Sequence, residues 1–121
     1  RLGLDPNLMP LSCPLSGGYG GAMGPAQFIP STWLLYEQKI AAATGHSIPN
    51  PWDPGDALMA SAIYLSELGA DSEAGEGTAA AKYFAGSNWK GSLGRRYAGQ
   101  VLAKADIYQE LFNIIRGITG Q

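Results

Sequence analysis

The stretch Gly20-Gly21-Ala22-Met23-Gly24-Pro25-Ala26-Gln27-Phe28-Ile29-Pro30-Ser31-Thr32-Trp33 organises the reading of the whole chain. Its glycines free the backbone for positive φ and for close approach by another chain segment or a ligand. Upstream, Asp5-Pro6, Met9-Pro10, Cys13-Pro14, Gly17 and Gly18 continue the same turn-forming chemistry. Residues 1–24 therefore read as an irregular arm that ends in a tight glycine loop. Downstream, Pro30 suits a first helical position, with Ser31 and Thr32 in the opening turn. Trp33, Tyr36, Ile40 and Ala43 recur at helical spacing, and Gly45 supplies the stop.

The remaining segments follow the same grammar. His46 to Trp52 is a loop with two prolines. Asp53-Pro54-Gly55-Asp56 then marks a helix start, with Asp53 and Asp56 read as capping carboxylates rather than an acid/base pair. Leu58, Met59, Ala62, Ile63 and Leu65 make that helix apolar nearly all round, which predicts a central, buried element ending at Gly69. Residues 71–77 are small and acidic and read as an exposed connection. Thr78 to Ala85 is alanine-dense, favouring helix and close helix approach, and Gly86 closes it. Leu93, Tyr97, Val101, Ala105, Tyr108, Phe112 and Ile115 mark a last amphipathic helix of about six turns. No segment alternates with period two. The expectation is a single all-α domain over 1–121.

Composition sets the outer bounds. Of 121 residues, 45% are hydrophobic and 15% charged, which supports one compact core and excludes global disorder. A net charge of −2 gives no footprint for nucleic acid, and no apolar run reaches the roughly 20 residues of a membrane span. The chain starts at Arg1 without a signal peptide and reads as a segment of a longer protein. Cys13 is the single cysteine. It reads as a small, partly buried loop thiol, the alternative being a bridge to a cysteine upstream.

The quoted stretch resembles the signature of peptidoglycan lytic transglycosylases, and is closest to the membrane-bound lytic transglycosylase B type, where Gln-Phe-Met-Pro-Ser is usual. Asp56-Ala57 through Ala62-Ile63-Tyr64-Leu65 resembles that family's Asp-Ala … Ala-x-Tyr-Leu helix. Ala79 through Gly86, followed by Tyr97-x-x-x-Val101, resembles its ending. The resemblance covers residues 17–108. It implies an all-α, lysozyme-like helical domain that binds peptidoglycan glycan strands outside the cytoplasm. It also implies cleavage of the β-1,4 bond between N-acetylmuramic acid and N-acetylglucosamine, leaving a 1,6-anhydro end without metal or organic cofactor. Some relatives carry a calcium loop, but no Asp-x-Asp-x-Asp-Gly pattern occurs here.

On this resemblance the substrate-binding candidates are Gly21, Gly24, Gln27, Tyr64, Tyr83 and Tyr97. Glycines let a sugar ring approach the backbone, the Gln27 amide offers donors and an acceptor, and tyrosines offer flat faces with a hydroxyl. Each has a plainer reading: Gln27 as a helix cap, and the three tyrosines as core. Trp33, Trp52 and Trp89 read as packing residues, with Trp89 the best placed of them to be an exposed sugar platform. His46 reads as a loop residue, because no other His or Cys nearby completes a metal set. Two positions depart from the family: Gly18 stands where a serine is frequent, and Tyr83-Phe84 stands for Tyr-Asn, so that any amide there would come from Asn88. The catalytic glutamate of the family precedes the glycine motif, whereas Glu37, Glu67, Glu73, Glu76 and Glu110 all follow it. No catalytic residue is therefore assigned in this chain, and a non-catalytic glycan-binding module and a purely structural domain stand as alternatives.

Overall fold

The structure, a computed structural model, describes residues 2–13 and 21–117. Gly17, Gly18 and Gly20 of the glycine-rich arm lie outside them. Four helices account for most of these residues: α1 (Pro30–Thr44), α2 (Pro54–Leu65), α3 (Glu73–Ala85) and α4 (Ser92–Ile115). Among the described residues there is no strand, only two isolated antiparallel bridges, Leu11 with Met23 and Met23 with Phe28. The fold is all-α. The chain forms two compact units, Arg1–Tyr64 and Leu65–Gln121.

In the first unit, the arm opens with one helical turn, Pro6–Leu8, capped by the Asp5 carboxylate, which accepts the Asn7 N–H at 2.9 Å. Farther on, the Ser12 N–H donates to the Ala22 carbonyl at 3.0 Å, and the Ala22 N–H donates to Ser12 Oγ at 2.8 Å. The glycine loop closes on itself through Met23 N–H to the Phe28 carbonyl (2.8 Å) and Gln27 N–H to the Gly24 carbonyl (3.2 Å). Two glycines make this path possible. A Cβ on Gly21 would stand 1.7 Å from the Ser12 carbonyl oxygen, and one on Gly24, at φ +61°, would stand 1.9 Å from that of Pro51. Met23, Phe28, Trp33 and Ile40 are buried. Phe28 is the hub of a ring cluster, meeting Trp33, Tyr36 and Tyr64 edge-on with centroids 5.8 to 6.3 Å apart. α1 starts on Pro30 and ends at Gly45 (φ +79°), whose N–H donates to the Ala41 carbonyl, as its signals predict.

α2 starts where Asp53 Oδ1 accepts the Asp56 N–H at 3.0 Å. The expectation of an all-round buried helix fails on one side. Asp56, Ala57 and Ala60 are buried, whereas Leu58 is 68% exposed. Cys13 is exposed, not partly buried, in the loop after the Leu11 bridge.

The second unit begins with a widened turn, Ser66–Ala70, in which Gly69 adopts φ +102°. Residues 73–77, read above as an exposed connection, are already helical. Ser72 enters extended, and Glu73 and Glu76 fall in the first turn, where the helix dipole favours negative charge. Gly75 belongs there because a Cβ would meet the Gly69 carbonyl oxygen at 1.9 Å. The core of this unit is small: Ala80 and Ala81 from α3 and Ala98 from α4, with Trp89 and Val101 packed against them. α4 runs to 24 residues. It buries Gly94 and Ala98, while Leu93, Tyr108, Phe112 and Ile115 of its apolar series remain exposed.

Steric need separates the glycines experimentally. Gly24→Ala should lower unfolding stability by about 3 kcal/mol, through a backbone clash and a left-handed φ. Gly99→Ala, in the interior of α4 with open space around its Cβ, should raise stability by about 0.5–1 kcal/mol. Urea midpoints of the two variants against the parent protein measure both.

Candidate functional site

Gln27 closes the turn that Gly24 opens, and its backbone stands at φ +58°. Among the described residues it is the sole non-glycine with positive φ. Its side chain is exposed and folds back so that Nε2 donates to the Gly24 carbonyl at 2.9 Å. An exposed polar residue held in a sparsely populated conformation, beside a buried ring, marks a position fixed by its surroundings rather than by its own preference.

The same loop edges a groove of about 480 Å³ in the first unit, to which Met23 and Pro30 contribute. Its walls are apolar, Trp33 and Trp52 among them, and Glu37 is its one charged lining residue. Trp52 is fixed by donating its indole N–H to the Pro10 carbonyl at 3.0 Å. Gln27 itself is not part of this wall. Tyr64 is half-buried in the ring cluster, 5.5 Å from Tyr36 and 5.8 Å from Phe28. Gly21, Gly24, Gln27 and Tyr64 thus share the first unit, and its two glycines have a packing reason of their own.

Tyr83 and Tyr97 belong to the second unit, and both are half-buried. Tyr97 lies flat against Phe84, with ring centroids 4.5 Å apart and an interplanar angle of 13°. The outward ring of this pair is Phe84, which is 54% exposed. Phe84 and Asn88 line one hollow of about 340 Å³. Trp89 does not serve as the exposed platform of this region. It packs on the alanine core, with Lys82 and Lys90 ammonium groups each 5.4 Å from its ring centre. The signal for Phe84 was present in the sequence as an aromatic residue beside Tyr83, but its stacking partner is 13 positions away on another helix, where local spacing carries no information.

Asp56 departs from its expected role. Asp53 is the cap, whereas the Asp56 carboxylate turns to the preceding loop. It accepts the Asn50 N–H on Oδ2 at 2.8 Å, and His46 Nδ1 lies 2.8 Å from Oδ1. His46 is thus a loop residue with a defined partner. Burial raises the Asp56 pKa, but the Asn50 N–H and the His46 and Thr44 side chains together outweigh it and hold the carboxyl below its ordinary value of 3.8. Ligand-type atoms of His46, Asp53 and Asp56 lie within 4.8 Å of one another. Both Asp56 oxygens and Asp53 Oδ1 are already engaged with protein donors, so the trio is accounted for as a loop clamp.

Compared with known proteins, residues 9–111 match the family described as "Transglycosylase SLT domain". No curated protein and no solved structure matches the chain.

The clamp has a pH signature. The folded-state pKa of Asp56 lies below that of the unfolded chain, so its stabilisation is complete above about 3.8 and is lost as pH falls through the lower folded value. Asp56→Asn should cost about 1–3 kcal/mol at neutral pH. It should also flatten the acid limb of a stability-versus-pH curve, read by urea unfolding between pH 7 and pH 2.

Proposed function

The chain belongs to the transglycosylase SLT domain family, and from that premise we propose that it is the glycan-gripping part of a lytic transglycosylase of the membrane-bound B type. Its substrate on this reading is the β-1,4 bond between N-acetylmuramic acid and N-acetylglucosamine, and the product is a 1,6-anhydro-muramoyl end. SLT domains act on peptidoglycan, which lies outside the cytoplasm, and this supports an extracytoplasmic reading. Among the described residues no helix is long and apolar enough to cross a membrane.

The observation that carries the proposal is the exposed side chain of Gln27, held to the Gly24 carbonyl on a backbone of positive φ. An N-acetylated sugar presents amide N–H, carbonyl and hydroxyl groups, and a fixed side-chain amide matches them at little entropic cost. Gly24 and Tyr64 join it as contacts in the first unit, with Tyr83 and Tyr97 in the second, while buried Gly21 shapes the loop from within.

Cleavage needs a carboxylic acid beside the leaving oxygen, which in this reaction class then acts as base while the 6-hydroxyl of the muramoyl residue attacks its own C1. Glu67, Glu73, Glu76 and Glu110 are exposed. Glu37 is half-buried on α1, at the edge of the apolar groove. None is assigned as the acid. The 121 residues on their own should therefore release no anhydro-muropeptides from purified peptidoglycan. If they do, Glu37→Gln identifies whether the groove carboxyl is responsible, and the assignment of the acid to residues outside these 121 fails.

The binding role is separable from folding. Gln27→Gly relieves the left-handed φ and forfeits one exposed hydrogen bond, effects that offset each other to within about 1 kcal/mol. Glycan affinity should nevertheless fall about tenfold, because a charge-free amide contact of this kind is worth about 1 kcal/mol or slightly more. Calorimetric titration with soluble glycan strands reads the affinity, and unchanged binding would point to a structural domain rather than a glycan-binding one.

A further inference from the structure

The apolar groove of the first unit has no part in the glycan reading, since none of Gly21, Gly24, Gln27, Tyr64, Tyr83 and Tyr97 lines it. Its volume of about 480 Å³ falls in the range of small-molecule sites, which are mostly apolar with a few placed polar groups. Four of its lining residues are large aliphatic side chains that the fold leaves partly in water: Leu4 at 40% exposure, Leu11 at 52%, Leu34 at 58% and Ile48 at 44%. Single apolar residues scattered over a surface carry no message, whereas several gathered at one concavity mark a place where apolar matter binds.

The walls are set by the chain's own bonds. The arm is tied down beside Leu11, where the Ser12 N–H donates to the Ala22 carbonyl at 3.0 Å. Trp52 is held at both ends, its backbone N–H donating to Asn50 Oδ1 and its indole N–H to the Pro10 carbonyl, each at 3.0 Å. Pro6, Pro30, Pro49 and Pro51 fix φ at four more points of the lining. A concavity preorganised in this way loses little entropy when a ligand enters.

Charge decides what that ligand is. Glu37, half-buried on α1, is the one charged residue of the lining. A carboxylate only accepts hydrogen bonds, and its two oxygens take several donors at once, so Glu37 can receive an ammonium beside the protein partner it has. Apolar surroundings strengthen that attraction relative to bulk water. They strengthen equally the repulsion of an anionic head group, which disfavours an apolar acid. The lining brings no second charge, so one cationic group is matched and another would have no partner.

We propose that this groove binds an amphiphilic monoamine, a small molecule whose aliphatic or aromatic body lies on the apolar walls while its single ammonium pairs with Glu37. The site is separate from the glycan contacts and does not depend on them.

The test titrates the intact protein by calorimetry with three probes of one chain length: octylamine as its ammonium ion, neutral octanol and anionic octanoate. At low salt the ammonium should bind about fivefold or more tighter than octanol, with octanoate weakest, and the spread should shrink as salt rises. Glu37→Gln should bring octylammonium to the affinity of octanol and leave octanol unchanged. Leu34→Ala, at an exposed helical position that tolerates alanine, should weaken all three by several-fold through lost apolar contact. Thermal melts check that both variants fold. Equal binding of the three probes, no binding of octylammonium, or a preference that survives Glu37→Gln overturns the proposal. If Leu34→Ala changes none of the three affinities, the amine sits on the Glu37 carboxylate outside the groove and the proposal falls as well. None of these outcomes depends on whether glycan strands bind.

Discussion

Two backbone carbonyls, those of Ser12 and Pro51, press into the space where side chains would begin on Gly21 and Gly24. From that close approach the rest of the first unit follows. The loop between them has room for one path, which turns at Gly24 and returns at Gln27 so that Met23 and Phe28 can bridge. The return forces Gln27 into the left-handed region, at a cost of about 1 kcal/mol or somewhat more. Burying Phe28 gives back about 2–3 kcal/mol, and its edge-on contacts with three neighbouring rings add to that. The unusual backbone of Gln27 is thus maintained by the residue after it. Ile29 then leads into Pro30, whose fixed φ starts α1 at once, so the loop has little slack at its exit.

The second unit solves a different packing problem. Its helices meet through Ala80, Ala81 and Ala98, while buried Gly94 leaves room for the Trp89 carbonyl. Small side chains let helix axes come close, and a close interface has no interior volume for large rings. The rings are pushed to its margins. Trp89 seals one edge and draws the Lys82 and Lys90 ammonium groups onto its face. Phe84 and Tyr97 pair at another, where stacking hides one face of each ring and leaves Phe84 outward. An exposed aromatic surface here is the consequence of an alanine core.

The helices were legible because their ends are chemically marked. Pro30, Gly45, the Asp53-Pro54 pair and Gly86 each act on the backbone of their own segment, and local signals of that sort survive in a single sequence. The start of α3 was missed because Gly75 and Gly77 look like loop formers; Gly75 is required by the nearby Gly69 carbonyl, a contact invisible to composition. The carboxylates show the same limit. Asp53 and Asp56 fit a cap by spacing, but the partners that redefine Asp56, Asn50 and His46, lie six and ten positions earlier in an irregular loop. For the candidate site, Gln27 stood out through its motif, whereas its positive φ depends on the approach of Pro51. Phe84 read as a departure from a pattern until the position of Tyr97 was known.

Net charge was the least informative number of all. Eight basic and ten acidic residues nearly cancel, yet eight of the ten acids precede Gly77 and no acid falls between Glu76 and Asp106. An average over the chain erases that separation, while a ligand meets only the charges within about a Debye length, roughly 10 Å at moderate salt. The segment from Lys82 to Lys104 is therefore basic in a protein that is anionic as a whole.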